Sequence, residues 1–346
     1  MHTVPPGIAS VPRLEEWLTN ALNAPAPVSV ASIELITGGR SNLTYRVMIK
    51  EERTVVLRRP PLGHVLPTAH DMSREFRVLT GLTGTRVPVA RPIALCADAE
   101  VIGAPFYVME FVPGRIFRTL EAAAALTEDQ ATQLSEALAD MLASIHAVDL
   151  AATGLDTLGR GAGYLRRQLD RWQRQWELSA TRTVPGYDTL VSRLDQGMPA
   201  EGDTTLVHGD FRIDNVLVDT AQAPRIAAVV DWEMATLGDP LADLGLTLVY
   251  WTEAGEVGWL PMSTNATAAP GFHTRAEFAA AYAGRTGRDV SRIEYYMAFG
   301  YFKLAVVLEG INARYLKQQT VGDGFDREGK AVPLLIARAH QILDAG

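Results

Sequence analysis

Cysteine is almost absent from this sequence: Cys96 is the only one among 346 residues. A single cysteine excludes an internal disulfide and a cluster of thiolate metal ligands. Its neighbours in "RPIALCADAE" are largely apolar. We therefore expect Cys96 to be a small buried hydrophobic side chain.

The sequence also lacks a basic surplus, since 40 acidic and 32 basic residues give a net charge of −8. Nucleic acid is therefore not expected as the main partner, because binding it requires a clustered basic surface. No run of 18 apolar residues is present, and the first residues lack the pattern of a signal peptide. We expect no membrane span and a cytoplasmic location. Hydrophobic residues at 47% and charged residues at 21% are typical of a folded protein.

The first third of the chain has the pattern of a small sheet. Apolar alternation and turn residues predict five strands, and a helical spacing of apolar residues between the third and fourth predicts one inserted helix. The predicted strands are "IELIT", "LTYRVMIK", "TVVLRRP", "RPIALC" and "PFYVMEFV", and the helix is "HDMSREFRVLTGL". In the third strand, alternation places Val56 and Arg58 on one face, and we expect Arg59 at the surface.

From Pro113 onward, helical patterns dominate. Thr127 and Gln130 form a capping-box pair ahead of an apolar stripe. Three short strands, "TTLVHGD", "NVLVD" and "RIAAVVDWE", interrupt the helices between residues 204 and 233. The glycines of "GRGAG" follow no strand, so we interpret that segment as a loop that leads into a helix.

The stretch "LVHGDFRIDNVLVD" carries the strongest chemical signal. His208, Asp210 and Asn215 have the spacing H-x-D-x-x-x-x-N of a kinase catalytic loop. In that arrangement Asp210 accepts the proton of a substrate hydroxyl, and the Asn215 amide oxygen binds Mg²⁺. Asp231 stands at the end of the next apolar strand, where a carboxylate can hold the same magnesium.

Each of these residues also has a purely structural interpretation. His208 alone is typical of a hydrogen-bonded structural histidine, and the others could cap turns. The combination of all four residues beside two strands favours a catalytic role over a purely structural one. A metal-dependent hydrolase is the alternative for a His/Asp cluster, but no second histidine-rich segment supplies ligands. We expect Asp214 and Asp219 to be solvated, and Asp239 and Asp243 to be structural.

These motifs, with "VVDWEMATLGDPLADLG", "VVLRRPP", "HDMSREFRVL" and "PFYVMEFVPGR", resemble the aminoglycoside phosphotransferase and choline kinase-like superfamily. The resemblance covers nearly the whole chain and is greatest to the branch that is fused to acyl-CoA dehydrogenases in some organisms. It implies an α+β, two-lobed, protein kinase-like fold, with a nucleotide-binding lobe over 1–111 and a mostly helical catalytic lobe over 112–346. It also implies ATP or GTP and Mg²⁺ as cofactors.

The resemblance assigns roles to individual residues. Asp210 matches the catalytic base, and Asn215 and Asp231 match the magnesium ligands. The segment from Glu110 to Val112 lies in the match to the hinge that binds the nucleotide base. The resemblance also implies a loop that covers the nucleotide phosphates, and its binding residues are Gly38, Gly39, Arg40, Ser41 and Asn42.

One position departs from the pattern of related kinases. They carry a lysine on the third strand, whereas this chain has Arg58, and Glu75 matches the glutamate that orients that cation. Arginine keeps the charge and can form a fork with Glu75, but it is not an equivalent donor. Either Arg58 does the work of the lysine or phosphate positioning is impaired.

The acceptor is predicted from a stripe of arginines. Arg167, Arg171 and Arg174 share one face of the helix "YLRRQLDRWQRQWEL" at spacing i, i+4 and i+7. Such a stripe favours an anionic group, whereas an aminoglycoside is a polycation. A solvated face balanced by nearby acids is the alternative.

The sequence thus predicts a Mg²⁺-dependent phosphotransferase that moves the γ-phosphate of a nucleotide to a hydroxyl of a small molecule. We expect the acceptor to be anionic, such as a hydroxyacyl compound. The alternative is a pseudokinase-like protein that binds a nucleotide or metabolite without efficient catalysis, and Arg58 is the feature that favours it.

Overall fold

The chain forms two compact units in a computed structural model that describes residues 4–36, 42–50, 53–62, 71–259, 264–318 and 328–345. The first unit comprises Met1–Gly114 and Ala227–Ala235, and the second comprises Arg115–Ile226 and Thr236–Gly346. From the sequence, the boundary between the two lobes is predicted between residues 111 and 112, with residues 112–346 in one lobe.

The first unit is built on a five-stranded sheet. Its strands pair antiparallel in the order β1-β2-β3-β5-β4, so the fifth strand lies between the third and the fourth. Helix α1 precedes the sheet, and α2 is inserted after the third strand, as the sequence predicted. The elements are α1 (Val11–Ala21), β1 (Val30–Leu35), β2 (Leu43–Ile49), β3 (Arg53–Arg59), α2 (Met72–Leu82), β4 (Pro92–Cys96) and β5 (Phe106–Glu110).

Alternation along β3 decides which side chains enter the core. Val55 and Leu57 belong to a hydrophobic cluster that includes Leu14 and Leu18 of α1. Val56 and Arg58 face the opposite way, as the sequence indicated, and Cys96 is buried in the same cluster as Val55.

The expected surface position of Arg59 is wrong. Only 6% of this residue is exposed. Its guanidinium donates hydrogen bonds to the carbonyl oxygens of Gly7 and Pro60. The segment before α1 supplies one of these acceptors, and strand alternation alone does not reveal that a terminal segment covers this face.

The short segment Ala227–Ala235 joins the first unit through hydrogen bonds. The Val229 N–H donates to the carbonyl oxygen of Pro88 at 2.8 Å. The Trp232 N–H donates to Glu75 at 3.2 Å, and the Arg74 guanidinium donates to the carbonyl oxygen of Ala235 at 2.9 Å. These contacts place Asp231 in the same unit as α2 and β3.

Helices dominate the second unit. β6 pairs antiparallel with β9, and β8 begins in this unit and ends in the first. The capping box of Thr127 and Gln130 is present at the start of α4. The elements are α3 (Leu120–Ala123), α4 (Glu128–His146), α5 (Tyr164–Ser179), α6 (Tyr187–Gln196), β6 (Thr205–Val207), β7 (Val216–Asp219), β8 (Arg225–Val229), β9 (Thr236–Gly238), α7 (Pro240–Tyr250), α8 (Arg275–Thr286), α9 (Ile293–Leu316) and α10 (Glu328–Ala345).

Helices α7 and α9 form the interior of the second unit, and most of their residues are buried. Of the helices in the described ranges, none combines the length and the apolar character that a bilayer crossing requires.

Candidate active site

The predicted catalytic loop begins where β6 ends. His208 is fully buried, Gly209 adopts a left-handed φ of 81°, and Asp210 follows. The backbone N–H of Asp210 donates to Nδ1 of His208 at 3.3 Å. A left-handed φ is readily adopted by glycine, so the turn before Asp210 depends on Gly209.

Asp243 of α7 holds this loop through its backbone. Its carboxylate accepts the N–H of His208 at 2.7 Å and the N–H of Gly209 at 2.8 Å. Charge-assisted hydrogen bonds to backbone N–H groups are among the strong ones. Asp243 therefore has the structural position that its sequence context suggested, and it fixes the residues that carry Asp210.

His146 of α4 contacts the Asp243 side chain. Its Nε2 lies 3.2 Å from the Asp243 carboxylate, and its Nδ1 lies 2.7 Å from the Tyr282 hydroxyl. Burial lowers the pKa of His146 although Asp243 opposes the change. Burial acts to raise the pKa of Asp243, but the hydrogen bonds from the His146 ring and from the backbone N–H of His208 oppose it, and the net pKa is lowered. This arrangement favours an ionised Asp243 beside a neutral His146.

Asn215 orients Asp210 directly. It ends a short 3₁₀ turn, Ile213–Asn215, and its side-chain Nδ2 donates to the Asp210 carbonyl at 2.8 Å and to the Asp210 carboxylate at 3.0 Å. The structure thus brings these two predicted residues together. With the nitrogen engaged, the amide oxygen of Asn215 is the atom suited to a hard cation.

Asp214 is not the solvated loop residue that the sequence suggested. It forms a two-pronged ion pair with Arg212, and only 12% of its side chain is exposed. The Arg212 guanidinium also lies 4.6 Å from the ring centroid of Tyr250. Burial acts to lower the pKa of Arg212, but Asp214 and Asp210 raise it well above its usual range.

Lys303 is a functional candidate that we did not single out from the sequence. Its Nζ donates to the carbonyl oxygen of Gly209 at 3.1 Å. Burial lowers its pKa, and the charges of Asp210 and Asp243 oppose that effect. A signal was available, because Lys303 is the only charged residue in the run "YYMAFGYFKLAVVL". A lysine inside an apolar helix is rarely buried without a role.

In the first unit, Arg58 joins two carboxylates. Its Nε donates to Glu75 at 2.9 Å, its Nη2 binds the Asp231 carboxylate, and its Nη1 donates to Thr44 at 3.3 Å. Burial acts to lower the pKa of Arg58, but Glu75 and Asp231 raise it well above the usual range. The fork of Arg58 thus engages Glu75 and Asp231 at once, which a lysine ammonium could not do with the same geometry.

Glu75 is the buried member of this cluster. Only 2% of it is exposed, and burial raises its pKa although Arg58 opposes the change. α2 positions it, because Asp71 caps this helix by accepting the N–H groups of Ser73 and Arg74. Glu75 lies in the first turn, where a carboxylate is favoured by the helix dipole.

Asp231 has an unusual backbone. Its φ of 66° and ψ of 58° are left-handed, and it precedes the 3₁₀ turn Trp232–Met234. A non-glycine residue in this region is uncommon, and such conformations cluster at functional sites. The following residue, Trp232, is fully buried, and Arg58 pairs with the carboxylate, so both residues hold this backbone conformation in place.

The predicted phosphate loop is described only at its last residue. Gly38, Gly39, Arg40 and Ser41 lie outside the described residues. Asn42 is buried, and its Nδ2 donates to Glu233 at 2.8 Å. Asn42 therefore contacts the segment that carries Asp231.

The two predicted hinge residues lie at the end of β5. Glu110 is the last residue of the strand, and its exposed carboxylate pairs with Arg91. Its backbone N–H donates to the carbonyl oxygen of Arg91 at 2.9 Å, and Val112 follows the strand, partly buried.

The three arginines of α5 have different surroundings. The Arg167 guanidinium donates to the carbonyl oxygens of Arg160 and Gly161, which supports the loop before α5. The Arg171 guanidinium lies 5.3 Å from the ring centroid of Trp172, and Arg174 is exposed. They do not form one equivalent stripe.

Each unit by itself offers an oxygen donor of the kind that a hard cation prefers. Asn215 offers an amide oxygen, and Asp231 offers a carboxylate beside Arg58. Within the described ranges, no group of three or more His, Cys, Asp or Glu side chains could hold a metal by itself. Mg²⁺ does not require such a group, because it is usually bound by one or two protein oxygens together with substrate phosphates and water.

Comparison with known proteins finds similarity over most of the chain. The family model described as "Phosphotransferase enzyme family" matches residues 32–278. Acyl-CoA dehydrogenase family member 10 of Mus musculus is 34% identical over 321 residues, which are 92% of this chain and 30% of that protein. Member 11 of Mus musculus is 36% identical over 296 residues, 83% of this chain and 37% of that protein. The chain thus spans about a third of the length of these relatives.

Solved structures give the same fold. A protein of Ralstonia eutropha assigned to the aminoglycoside phosphotransferases has a TM-score of 0.80 and 31% identity, with 97% of this chain and 98% of that chain covered. A thermostable mutant of aminoglycoside phosphotransferase APH(4)-Ia, in complex with AMP-PNP and hygromycin B, has a TM-score of 0.62 and 17% identity, with 96% and 98% covered. The predicted kinase-like α+β fold is confirmed.

Proposed function

Since the chain belongs to the phosphotransferase enzyme family, we propose that it transfers the γ-phosphate of ATP or GTP to a hydroxyl of a small molecule. The observation that carries this proposal is the positioning of Asp210. Its loop is anchored by Asp243, and Asn215 orients its carboxylate. A carboxylate fixed in this way suits a group that must meet a hydroxyl in one orientation.

The proposal gives each residue one task. Asp210 accepts the proton of the acceptor hydroxyl as its oxygen bonds to the γ-phosphorus, while the bond from that phosphorus to the bridging oxygen breaks and the nucleoside diphosphate leaves. Asn215 and Asp231 would hold Mg²⁺, and the ion, when bound, neutralises charge on the transferred phosphoryl group. Positioning and electrostatics supply most of the acceleration in this type of reaction.

The nucleotide is assigned to the first unit. Arg58 would contact its phosphates in place of the lysine of related kinases, while Glu75 keeps the guanidinium in position. Gly38, Gly39, Arg40, Ser41 and Asn42 would cover the phosphates, and the backbone between Glu110 and Val112 would bind the base. Arginine remains charged in proteins, so the substitution preserves the charge that the phosphates require.

The acceptor is proposed to be anionic, such as a hydroxyacyl compound. Arg171 and Arg174 provide exposed positive charge on α5. Of these two, Arg171 has a described contact, with the ring of Trp172. Arg167 is occupied by backbone carbonyls, so its part is to support the loop. The relatives named as acyl-CoA dehydrogenase family members agree with an acyl compound as acceptor.

The alternative of a pseudokinase-like binding protein finds no support in the comparisons, which name phosphotransferases and acyl-CoA dehydrogenase family members. The feature that favoured this alternative was Arg58. In the structure, Arg58 makes an ordered pair with Glu75, as the cation of an active kinase would.

The test is consumption of ATP and of GTP with Mg²⁺ against aminoglycosides, choline-like alcohols and hydroxyacyl-CoAs. We expect turnover with an anionic acceptor, reduced about 10²-fold or more in Asp210→Ala, which is the range for loss of a general base. Asp219→Ala, which removes an ion pair with the exposed Arg225, should retain activity. Nucleotide binding without turnover on any acceptor would contradict the proposal.

A further inference from the structure

Lys303 is a positive charge placed in an apolar helix. Its neighbours Phe302 and Leu304 are buried, and Lys303 itself is partly buried. An ammonium group in such surroundings is costly unless its charge is compensated. One partner is the carbonyl oxygen of Gly209, at 3.1 Å. Because Gly209 directly precedes Asp210, this contact places the Lys303 charge beside the proposed base.

A second cation approaches the same place from α5. The indole ring of Trp172 has the Lys303 ammonium 5.8 Å from its centroid and the Arg171 guanidinium 5.3 Å from it. An aromatic face attracts cations at such distances, but two like charges repel each other. Burial lowers the pKa of Lys303 and the charge of Arg171 adds to this effect, while the charges of Asp210 and Asp243 oppose it.

Trp172 itself has an unused hydrogen-bond donor. The residue is 7% exposed, and its buried indole N–H has no acceptor among the described residues. Buried polar atoms without a partner are rare in folded proteins. Arg171 and Lys303 thus supply two cations beside Trp172, and Trp172 supplies an N–H donor without a described acceptor. Such a combination is expected around a bound anion.

We propose that Lys303, Arg171 and Trp172 form a subsite for the anionic group of the acceptor, either a carboxylate or a phosphate. This inference rests on the proposed phosphotransferase function and makes its acceptor more specific. Since Lys303 contacts the residue next to Asp210, the anion lies only a few bonds from the hydroxyl that is phosphorylated. A free hydroxy acid or a phosphorylated alcohol carries its anionic group close to the hydroxyl, whereas a hydroxyacyl thioester carries its phosphates at the far end of a long carrier, so binding to this subsite distinguishes the two kinds of acceptor.

The subsite can be tested with matched probes that differ in one charge. We would measure binding by calorimetry for 3-hydroxybutyrate against its methyl ester, and for glycerol 3-phosphate against glycerol. 3-Hydroxybutyryl-CoA serves as the probe with remote phosphates. The preferred pair identifies carboxylate or phosphate as the group recognised. Phosphoryl transfer to the same probes, measured separately, reports on the proposed function.

In the wild type, we expect one anionic probe to bind about 10- to 100-fold more tightly than its neutral counterpart, the range for hydrogen bonds to charged groups. Lys303→Met and Arg171→Gln should remove most of this preference with little effect on the neutral probe, and Lys303→Arg should restore part of it. Lys317→Met, at the exposed end of α9, and Arg166→Gln, at an exposed pair with Asp195, are the matched controls.

Two outcomes would overturn the inference. One is that no anionic probe binds better than its neutral counterpart. The other is that Lys303→Met weakens charged and neutral probes equally, as expected of a residue that only supports the loop. The proposed function fails by a different result: the preference for an anion is present, but no probe or other acceptor receives a phosphoryl group.

Discussion

Asp231 and Asp210 both follow a strand that ends in buried residues, yet the two units hold them by different means. In the first unit, Asp231 pairs with the guanidinium of Arg58, which also pairs with the buried Glu75. In the second unit, Asp210 is oriented by the amide of Asn215, and Asp243 anchors the backbone of its loop.

The difference predicts how the stability of each unit responds to the loss of one side chain. The cluster of Arg58, Glu75 and Asp231 consists of formal charges, and Arg58 and Glu75 have little solvent around them, so removal of the single guanidinium leaves two carboxylates without this partner. The loop of Asp210 is held by several separate hydrogen bonds. Loss of one leaves the others in place, so we expect smaller and more graded effects there.

The largest effect is expected from Arg58→Met. Breaking a buried ion pair by removal of one partner costs about 3–5 kcal/mol, because the other charge stays buried. The free energy of unfolding of the protein, measured by urea denaturation, should fall by this amount. Arg225→Met is the control, because its exposed pair with Asp219 is worth about 1 kcal/mol or less.

The double variant Arg58→Met with Glu75→Gln sharpens this prediction. Neutralising Glu75 removes the buried charge that Arg58→Met leaves behind, so the double variant should lose less than the sum of the two single variants. Additive losses would show that the Arg58–Glu75 pair does not couple the two residues as described.

A smaller effect is expected from Asp243→Asn in the second unit. An amide presents an N–H₂ where one carboxylate oxygen had accepted a backbone N–H, so a donor of His208 or Gly209 loses its acceptor. The cost should be about 1–3 kcal/mol in the free energy of unfolding. kcat should fall about 10²-fold, because displacement of a reacting group by about 1 Å has effects of this size.

Asp219→Asn is the matched control for Asp243→Asn, since it removes the same charge at a position that is partly exposed. A normal kcat in Asp243→Asn would contradict the view that Asp243 positions Asp210 through the backbone.

The smallest effect concerns pH. An unfolded histidine takes up a proton below a pH of about 6.5, whereas burial lowers the pKa of His146 in the folded protein. The unfolded state therefore binds more protons as the pH falls from about 7 to 5, and stability declines. The slope contributed by His146 is at most about 1.4 kcal/mol per pH unit.

Denaturation at pH 7.5, 6.5 and 5.5 would measure this slope. His146→Gln should show a shallower decline than the wild type. Tyr282→Phe removes the hydroxyl that contacts His146 but keeps the titrating ring, so its slope should stay close to that of the wild type. Equal slopes in all three proteins would rule out His146 as the source.

Much of this arrangement could be predicted from local sequence patterns. Alternation along β3 placed Arg58 on the face opposite to Val55 and Leu57. The motif spacing placed Asp210 and Asn215 on one loop, and the structure joins them by a hydrogen bond. These features depend on residues close in sequence, where strand period and turn geometry decide the outcome.

Features that depend on distant contacts were missed. Arg59 is buried because the segment at Gly7 covers it, and Asp214 is shielded by Arg212 with Tyr250 of α7. The contact of Lys303 with Gly209 joins residues 94 positions apart. Single-sequence patterns carry no information about which distant segments meet, although an isolated lysine in an apolar helix was a signal worth following.

The most direct test of the central claim is transfer of a labelled γ-phosphate. ATP or GTP with ¹⁸O in the γ-phosphate would be incubated with Mg²⁺ and a hydroxylated anionic acceptor, and the acceptor analysed by mass spectrometry. The account predicts a labelled phosphorylated acceptor with the wild type and a loss of about 10²-fold or more with Asp210→Asn, at unchanged nucleotide binding. Equal label transfer by Asp210→Asn, or bound nucleotide with no labelled product from any acceptor, would contradict it.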